Sequence, residues 1–464
     1  MEEFEEQEIK KLVEKFKDMI DSSESKYFDS EEMELIIDDF IRSFDFPLAG
    51  EAIDYAISLF PENSFFRILR VKKLILELRL EAAEKELDEI ENTFPPSAEF
   101  YLEKVLLMRM TGSDKDAFKL LRKAYLLSPD DPEIHFFLTY EYLKRKNILK
   151  ALDHITFALK ADNSFDDQLF TYSYLFEESK QYEDALFFYT TLTEKFPLLK
   201  GGWFGLGLAY SWLNDHPNAI QAYQLSLSLD EDMPTAHFNI ANSYYELKEY
   251  DKALEHYNLA LSLDNQDFNS LASIGDCYAC MDQNALALDY YHKALEFNPH
   301  HYDAIMGIIS ILQLSGRIKE AELFIIKAFT INPQSFELLF SVIETYDEHD
   351  QLEKLKELFG LTLDQIENKT DFFHYFVLYC CQNDFYNFGL EIIAQYRDEK
   401  SIEKMVDYYQ AAFHYLNGNI NEGNKFLCDA LTSYYEEYPN FLALDPILES
   451  FSEIQELIEI FRPQ

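Results

Sequence analysis

An all-α solenoid of stacked helical hairpins is the fold class this sequence predicts, and three regularities carry the prediction. The first is an alanine every 34 residues: Ala49, Ala83, Ala117, Ala151, Ala185, Ala219, Ala253, Ala287 and Ala321, without insertion or deletion. The second is a small residue seven places further on in most cases: Ala56, Ala124, Ala158, Ser226, Ala260, Ala294 and Ala328. The third is a proline twelve places after the alanine, at Pro61, Pro95, Pro129, Pro197, Pro299 and Pro333. A fixed period of this length marks units that cannot bury their apolar faces alone and stack on neighbours to do so.

Residues 1–29 precede the repeats. Phe4, Ile9, Leu12, Val13, Phe16 and Ile20 recur at helical spacing with charges between them, so one amphipathic helix is expected, covering the open face of the first unit. With the alanine as position 20, nine units follow in register over 30–335. In 234–267, Ile240, Ala241 and Tyr244 share one helical face, and Ala253, Tyr257, Ala260 and Leu261 share another. Lys248-Glu249-Tyr250-Asp251 forms a polar turn between them. Each unit therefore reads as helix A, turn, helix B, with the proline at position 32 marking the end of B. The small residues at position 8 (Gly207, Ala241, Gly275) and the alanine at position 20 let A and B approach.

After 335 the pattern weakens while the frame continues. Position 20 becomes Leu355, Gly389 and Gly423, and position 27 of the last unit is Ala430. Three divergent units are expected at 336–369, 370–403 and 404–437. Residues 438–464 carry Ile447, Leu448, Phe451, Ile454, Leu457, Ile458 and Phe461 among acids, which predicts a terminal amphipathic capping helix.

These units resemble the tetratricopeptide repeat family. In 200–233, Trp203, Leu206, Gly207, Tyr210, Ala219 and Tyr223 stand at the family's tryptophan, leucine, glycine, tyrosine, alanine and aromatic positions. In 268–301, Ile274, Gly275, Tyr278, Ala287, Tyr291, Ala294 and Pro299 do so. Units 30–63 and 64–97 lack the aromatic pair but keep Ala49, Pro61, Ala83 and Pro95. The resemblance implies a right-handed superhelical α-solenoid of about twelve 34-residue repeats with helical caps.

Composition bounds what such a chain can meet. At 464 residues it exceeds the size of one growing core, and stacking removes that limit. Hydrophobic residues make up 48%, so it can bury apolar surface. It holds 85 acidic and 40 basic residues, a formal net charge of -45. That field opposes nucleic acid and anionic membranes, both of which need lysine and arginine. It leaves a basic partner open. The five cysteines (Cys277, Cys280, Cys380, Cys381, Cys428) suggest no disulfide framework and favour a reducing compartment. The start, MEEFEEQEIKKLVEKF, lacks a basic n-region and an apolar run, so no secretory signal is expected. No stretch reaches the ~18 apolar residues of a membrane span. A cytoplasmic location follows as the expectation, and the sequon Asn368-Lys369-Thr370 is taken as chance.

No constellation of catalytic chemistry emerges. Cys277 and Cys280 have CxxC spacing but lie inside a predicted helix A, without a second pair to complete a zinc site; they read as small apolar residues. His135 and His154 occupy positions 4 and 23 of one unit, and His237 and His256 the same positions of another. Helices A and B bring each pair together, yet a metal needs further ligands, and shared repeat ancestry explains the echo. His300-His301 falls in an inter-repeat turn. The glycines of 201–207 fall largely on repeat positions rather than after a strand, which excludes a phosphate loop. HExxH, GxSxG and Walker A spacings are absent from the sequence. No enzyme, cofactor or metal is expected.

In the family, positions 2, 5, 9 and 12 of helix A line the concave surface. Carried over, position 5 gives Phe136, Phe170, Phe204 and Phe238, position 9 gives Tyr140, Tyr174, Leu208 and Asn242, and position 12 adds Tyr245. Helix A is then apolar on two faces in the middle units. Such a helix is buried on both, by tight winding, or presents an aromatic binding groove. The carboxylate clamp of co-chaperone members is absent. Asn239 and Asn242 are present, but position 5 is Phe238 rather than lysine, and the next unit offers Ala272, Ser273 and Asp276. The expected role is a non-catalytic protein–protein interaction scaffold that holds a protein or peptide segment in this groove. Two alternatives stand beside it: a structural protein that self-assembles into homo-oligomers, and an accessory or regulatory subunit of an enzyme encoded elsewhere.

Overall fold

Helix starts are set by short polar side chains that satisfy the free N–H groups of a first turn. The computed structural model shows this at Asp29, whose carboxylate accepts from Glu32 N at 2.8 Å while Glu32 returns a bond to Asp29 N at 3.0 Å. Asp131 accepts from Glu133 N at 2.8 Å ahead of Pro132 in the first helical position. The structure describes residues 2–22, 26–112, 116–332, 338, 356–357, 359–360, 363, 366 and 368–463. These residues fall into two compact units, Met1–Glu231 and Asp232–Gln464.

In the first unit the helix Glu2–Ser22 precedes six hairpins. Their A and B helices are Ser30–Arg42 with Phe46–Leu59, Ser64–Leu76 with Leu80–Thr93, and Ala98–Met110 with Ala117–Leu127. Pro132–Lys144 with Ile148–Ala161, Thr171–Glu178 with Tyr182–Lys195, and Lys200–Trp212 with His216–Leu229 complete them. The second unit continues with Pro234–Glu246 and Tyr250–Leu263, Phe268–Cys280 and Asn284–Phe297, and Tyr302–Leu314 and Ile318–Ile331. Beyond these lie Lys369–Gln382 with Tyr386–Gln395 and Val406–Leu416 with Ile420–Tyr434. This is an all-α solenoid of helical repeats. The segment 336–369, with Leu355, lies for the most part outside the described residues.

The backbone carries the 34-residue period as plainly as the alanines do. Phe44, Leu78, Lys146, Lys180, Asn214, Lys248, Asp282 and Asp384 have positive φ, as do Gly112, Gly316 and Gly418. All stand at position 15. There helix A ends on a left-handed residue whose N–H, with the next one, bonds back to the last turn. Lys248 N donates to Tyr245 O at 2.8 Å and Glu249 N to Tyr244 O at 2.9 Å. The frame thus runs on through 384 and 418, where the side-chain pattern has faded.

All nine position-20 alanines have 0% exposure. They sit where A and B touch, and in four of these units the space beside them is filled by a tyrosine at position 24: Tyr189, Tyr223, Tyr257 and Tyr291. A Cβ on Gly275 would come within 2.6 Å of the Tyr291 ring, and one on Gly307 within 2.4 Å. The ring therefore lies between two helices that admit it only because both residues are glycine. Tyr189 meets Gly205, and Tyr223 meets Gly207, in the same manner.

At the start, Phe16 packs against Phe28, Phe40 and Tyr55, with centroids 5.8–6.1 Å apart. At the other end the segment after 437 is not one helix. It folds as Tyr438–Leu442, a 3-10 turn Pro446–Ser450 and the helix Ser452–Ile460. Asp445 is extended and caps Ile447 N at 2.8 Å ahead of Pro446, which breaks the run.

Candidate functional site

The inner-face positions of the first unit are not equivalent. Phe136 is 7% exposed. Phe165 stacks on it at 5.0 Å, and Tyr172 donates to its carbonyl at 3.0 Å. Phe136 is therefore core, and it offers no ring to a ligand. Tyr140 remains half-buried, with the Arg109 guanidinium 4.1 Å from its ring centre. Arg109 is held in turn by Glu141 Oε1 at 3.2 Å.

Phe170 and Tyr174 are 48% and 68% exposed. A local departure from the repeat explains them. Residues Asn163–Gln168 form a 3-10 helix, and helix A of this unit begins only at Thr171. The cause is Asp166. Its carboxylate turns away to the next repeat and accepts from Lys200 N at 2.9 Å and Gly201 N at 2.8 Å. A Cβ at Gly201 would lie 2.3 Å from Asp166 O, so only glycine permits the approach. Lys200 Nζ ties the arrangement to Asp167 at 2.8 Å and Asp230 at 2.7 Å. The N-terminus of Lys200–Trp212 is thus filled by a side chain, and the glycines of 201–207 serve packing. Phe204 and Leu208 are half-buried, the former with its ring 5.6 Å from Tyr223.

In the second unit Phe238, Asn242 and Tyr245 are half-buried. Phe238 lies 5.6 Å from Tyr257. The Tyr257 hydroxyl donates to Asn242 Oδ1 at 2.5 Å, and one repeat later the Tyr291 hydroxyl donates to Asp276 Oδ1 at 2.6 Å. Position 24 thus orients the polar residue at position 9 in both repeats. Burial raises the Asp276 carboxyl above the usual range, against the lowering effect of the Tyr291 bond. Tyr245 Oη lies 3.4 Å from Cys280 Sγ, and burial and this thiol both push the phenol up. Asp276 stands at position 9, and Cys280 was weighed in the sequence only for its CxxC spacing; neither was placed among the groove residues.

The other groups singled out in the sequence are accounted for. Cys277 is buried, its thiol pushed up to about 12 by desolvation, while Cys280 is exposed; both are free. His135 and His154 meet with their Nδ1 atoms 3.0 Å apart, and His237 and His256 at 3.2 Å. His135 Nε2 faces Pro129 O at 2.9 Å. Burial and His135 push His154 down to about 4. Among the described residues no three histidine, cysteine or acidic groups converge as a metal site requires. Among them too, no helix is long and apolar enough to cross a membrane.

Comparison with known proteins agrees with the register. Family models described as tetratricopeptide repeat match residues 201–233 and 234–267. Residues 201–267 thus match as tetratricopeptide repeats, which supports a protein built of such repeats. Tetratricopeptide repeat proteins are generally non-catalytic scaffolds, and the matched repeats support a protein–protein interaction scaffold here. No curated protein matches it. Among solved structures it is similar to YrrB, described as a TPR protein with an unusual peptide-binding site, at 21% identity over 40% of this chain and 96% of that one, TM-score 0.31. It is also similar to pilF of Pseudomonas aeruginosa, at 21% identity over 45% and 94%, TM-score 0.33. A tetratricopeptide repeat protein from Parabacteroides merdae matches at 18% identity over 54% and 99%, TM-score 0.35.

Proposed function

We propose that this chain holds an extended or helical segment of a partner protein against the inner face of its A helices, and that it performs no chemistry on that segment. The observation that carries the reading is the exposure of Phe170, at the N-cap, and of Tyr174, on the short helix Thr171–Glu178. Exposed aromatic rings on a rigid element are the residue type that anchors protein interfaces. Tyr140, Phe204 and Leu208 extend that surface within the first unit. Asn242 and Tyr245 supply polar contacts within the second, with Asn242 held by Tyr257. Ordered polar groups beside apolar anchors give a bound chain its register.

The test is a random-peptide display selection against the full-length chain, followed by hydrogen–deuterium exchange with a selected peptide. Added protection in Pro132–Lys144, Thr171–Glu178 and Lys200–Trp212 supports the reading. Protection confined to B helices, or a selection that enriches nothing, refutes it.

A further inference from the structure

Several inner-face positions of the first four hairpins carry charge, beside apolar residues such as Ile68, Leu102 and Phe136. Position 2 is Glu31, Glu99 and Glu133, position 5 is Glu34, position 9 is Asp38 and Lys72, and position 12 is Arg109, which is paired with Glu141. Their electrostatics tie them into one group. Burial raises the Glu34 carboxyl, and Asp38, Glu31 and Glu99 add to it. Glu133 is exposed, yet desolvation by the atoms around it raises its carboxyl; Asp131, Asp38 and Glu99 add, and Lys72 opposes.

Glu103 belongs to the same group and is the anomaly within it. Its residue is 8% exposed, and its Oε2 is buried without a hydrogen-bond partner. The charges acting on it are Lys72 and Glu133. Desolvation pushes its carboxyl up to about 8. A buried carboxyl left without a partner costs stability that an apolar side chain of similar size does not. Such a group in a native protein calls for an occupant or a role.

We infer that the inner face of hairpins 30–165 receives a basic segment of a partner protein, whose lysine or arginine side chains pair with Glu34, Asp38, Glu99, Glu103 and Glu133. This rests on the reading that the inner face holds a protein segment, and it adds the chemistry of that segment. Two observations select this occupant. The carboxyls are spread over four hairpins, and among the described residues none gather three together as a metal ion requires. One resident cation, Lys72, acts on Glu103 and Glu133, within a chain of net charge -45. Charge complementarity of this kind sets partner choice and speeds encounter.

The test takes the peptides selected by display on the full-length chain and measures their affinity for wild type and for Glu99→Gln/Glu103→Gln/Glu133→Gln. A second variant, Glu34→Gln/Asp38→Asn, leaves the buried Glu103 in place and serves if the first fails to fold. The expected result is a pool enriched in lysine and arginine, with binding weakened about tenfold or more in either variant and weakened again by added salt. Peptides with no basic bias that bind both variants as they bind wild type overturn this inference and leave the scaffold reading standing. A selection that enriches nothing overturns both.

Discussion

The ring of Phe413 lies directly on Gly389: a Cβ at 389 would come within 2.4 Å of the ring's Cζ. Position 20 is alanine in the first nine units, and here it has yielded to glycine so that an aromatic from the next helix can take its place. Gly423 admits Tyr415 in the same way, with 3.0 Å to the nearest ring carbon. In an open helix Gly→Ala stabilises by about 1 kcal/mol. Gly389→Ala should instead destabilise by about 1–3 kcal/mol, because the ring has no room to move in a packed core. Urea unfolding measures it, and a stabilised variant contradicts this packing.

The turn between helices A and B asks for a left-handed residue, and most repeats supply a side chain that pays for it in strain. Leu78 has φ 59° and is 71% exposed. Leu78→Gly should stabilise by about 0.5–1 kcal/mol, the strain relieved exceeding the chain entropy lost. Thermal unfolding checks the sign; destabilisation would show that Leu78 makes contacts worth more than its strain.

Asp166 joins two repeats through the backbone N–H groups of Lys200 and Gly201. Asp166→Ala should cost about 1–2 kcal/mol, as the loss of a helix cap does, and should speed hydrogen exchange at those two amides. Unchanged exchange there would contradict the capping role.

Glu103 gives stability a pH signature. Its carboxyl is raised from 4.5 to about 8 in the folded chain, so the folded state holds the proton more tightly than the unfolded one. Its contribution is fully present below about pH 4.5 and is lost as pH rises through about 8. Glu103→Gln keeps the group neutral throughout. The variant should match wild type near pH 4 and exceed it by a few kcal/mol near pH 8. A gap that does not change with pH would contradict the burial of this carboxyl.

The repeat itself was legible because it is written in local spacing: alanine at position 20, small residues at 8 and 27, and the turn at 15. What was not legible depends on partners far along the chain. Phe136 and Phe170 occupy the same position of successive repeats, yet one is core and the other exposed. The difference is set by Phe165 stacking on the first and by Asp166 turning to Lys200, which is 34 residues on. The acid group around Glu103 escaped notice for a different reason. Among 85 acidic residues no single carboxylate stands out in the sequence, and it is burial without a partner that separates Glu103 from the equally buried, arginine-paired Glu141. The break of the last segment at Asp445 and Pro446 was visible as a proline, but the apolar spacing on either side concealed it.

The central claim is that the exposed rings of the inner face hold a partner segment, and Phe170→Ala/Tyr174→Ala tests it most directly. Both side chains are substantially exposed, so the melting temperature of the full-length variant should stay within a few degrees of wild type. Calorimetry with a display-selected peptide should then show affinity reduced about thirtyfold or more, as loss of aromatic anchors does. Wild-type affinity in the folded double variant would contradict the account.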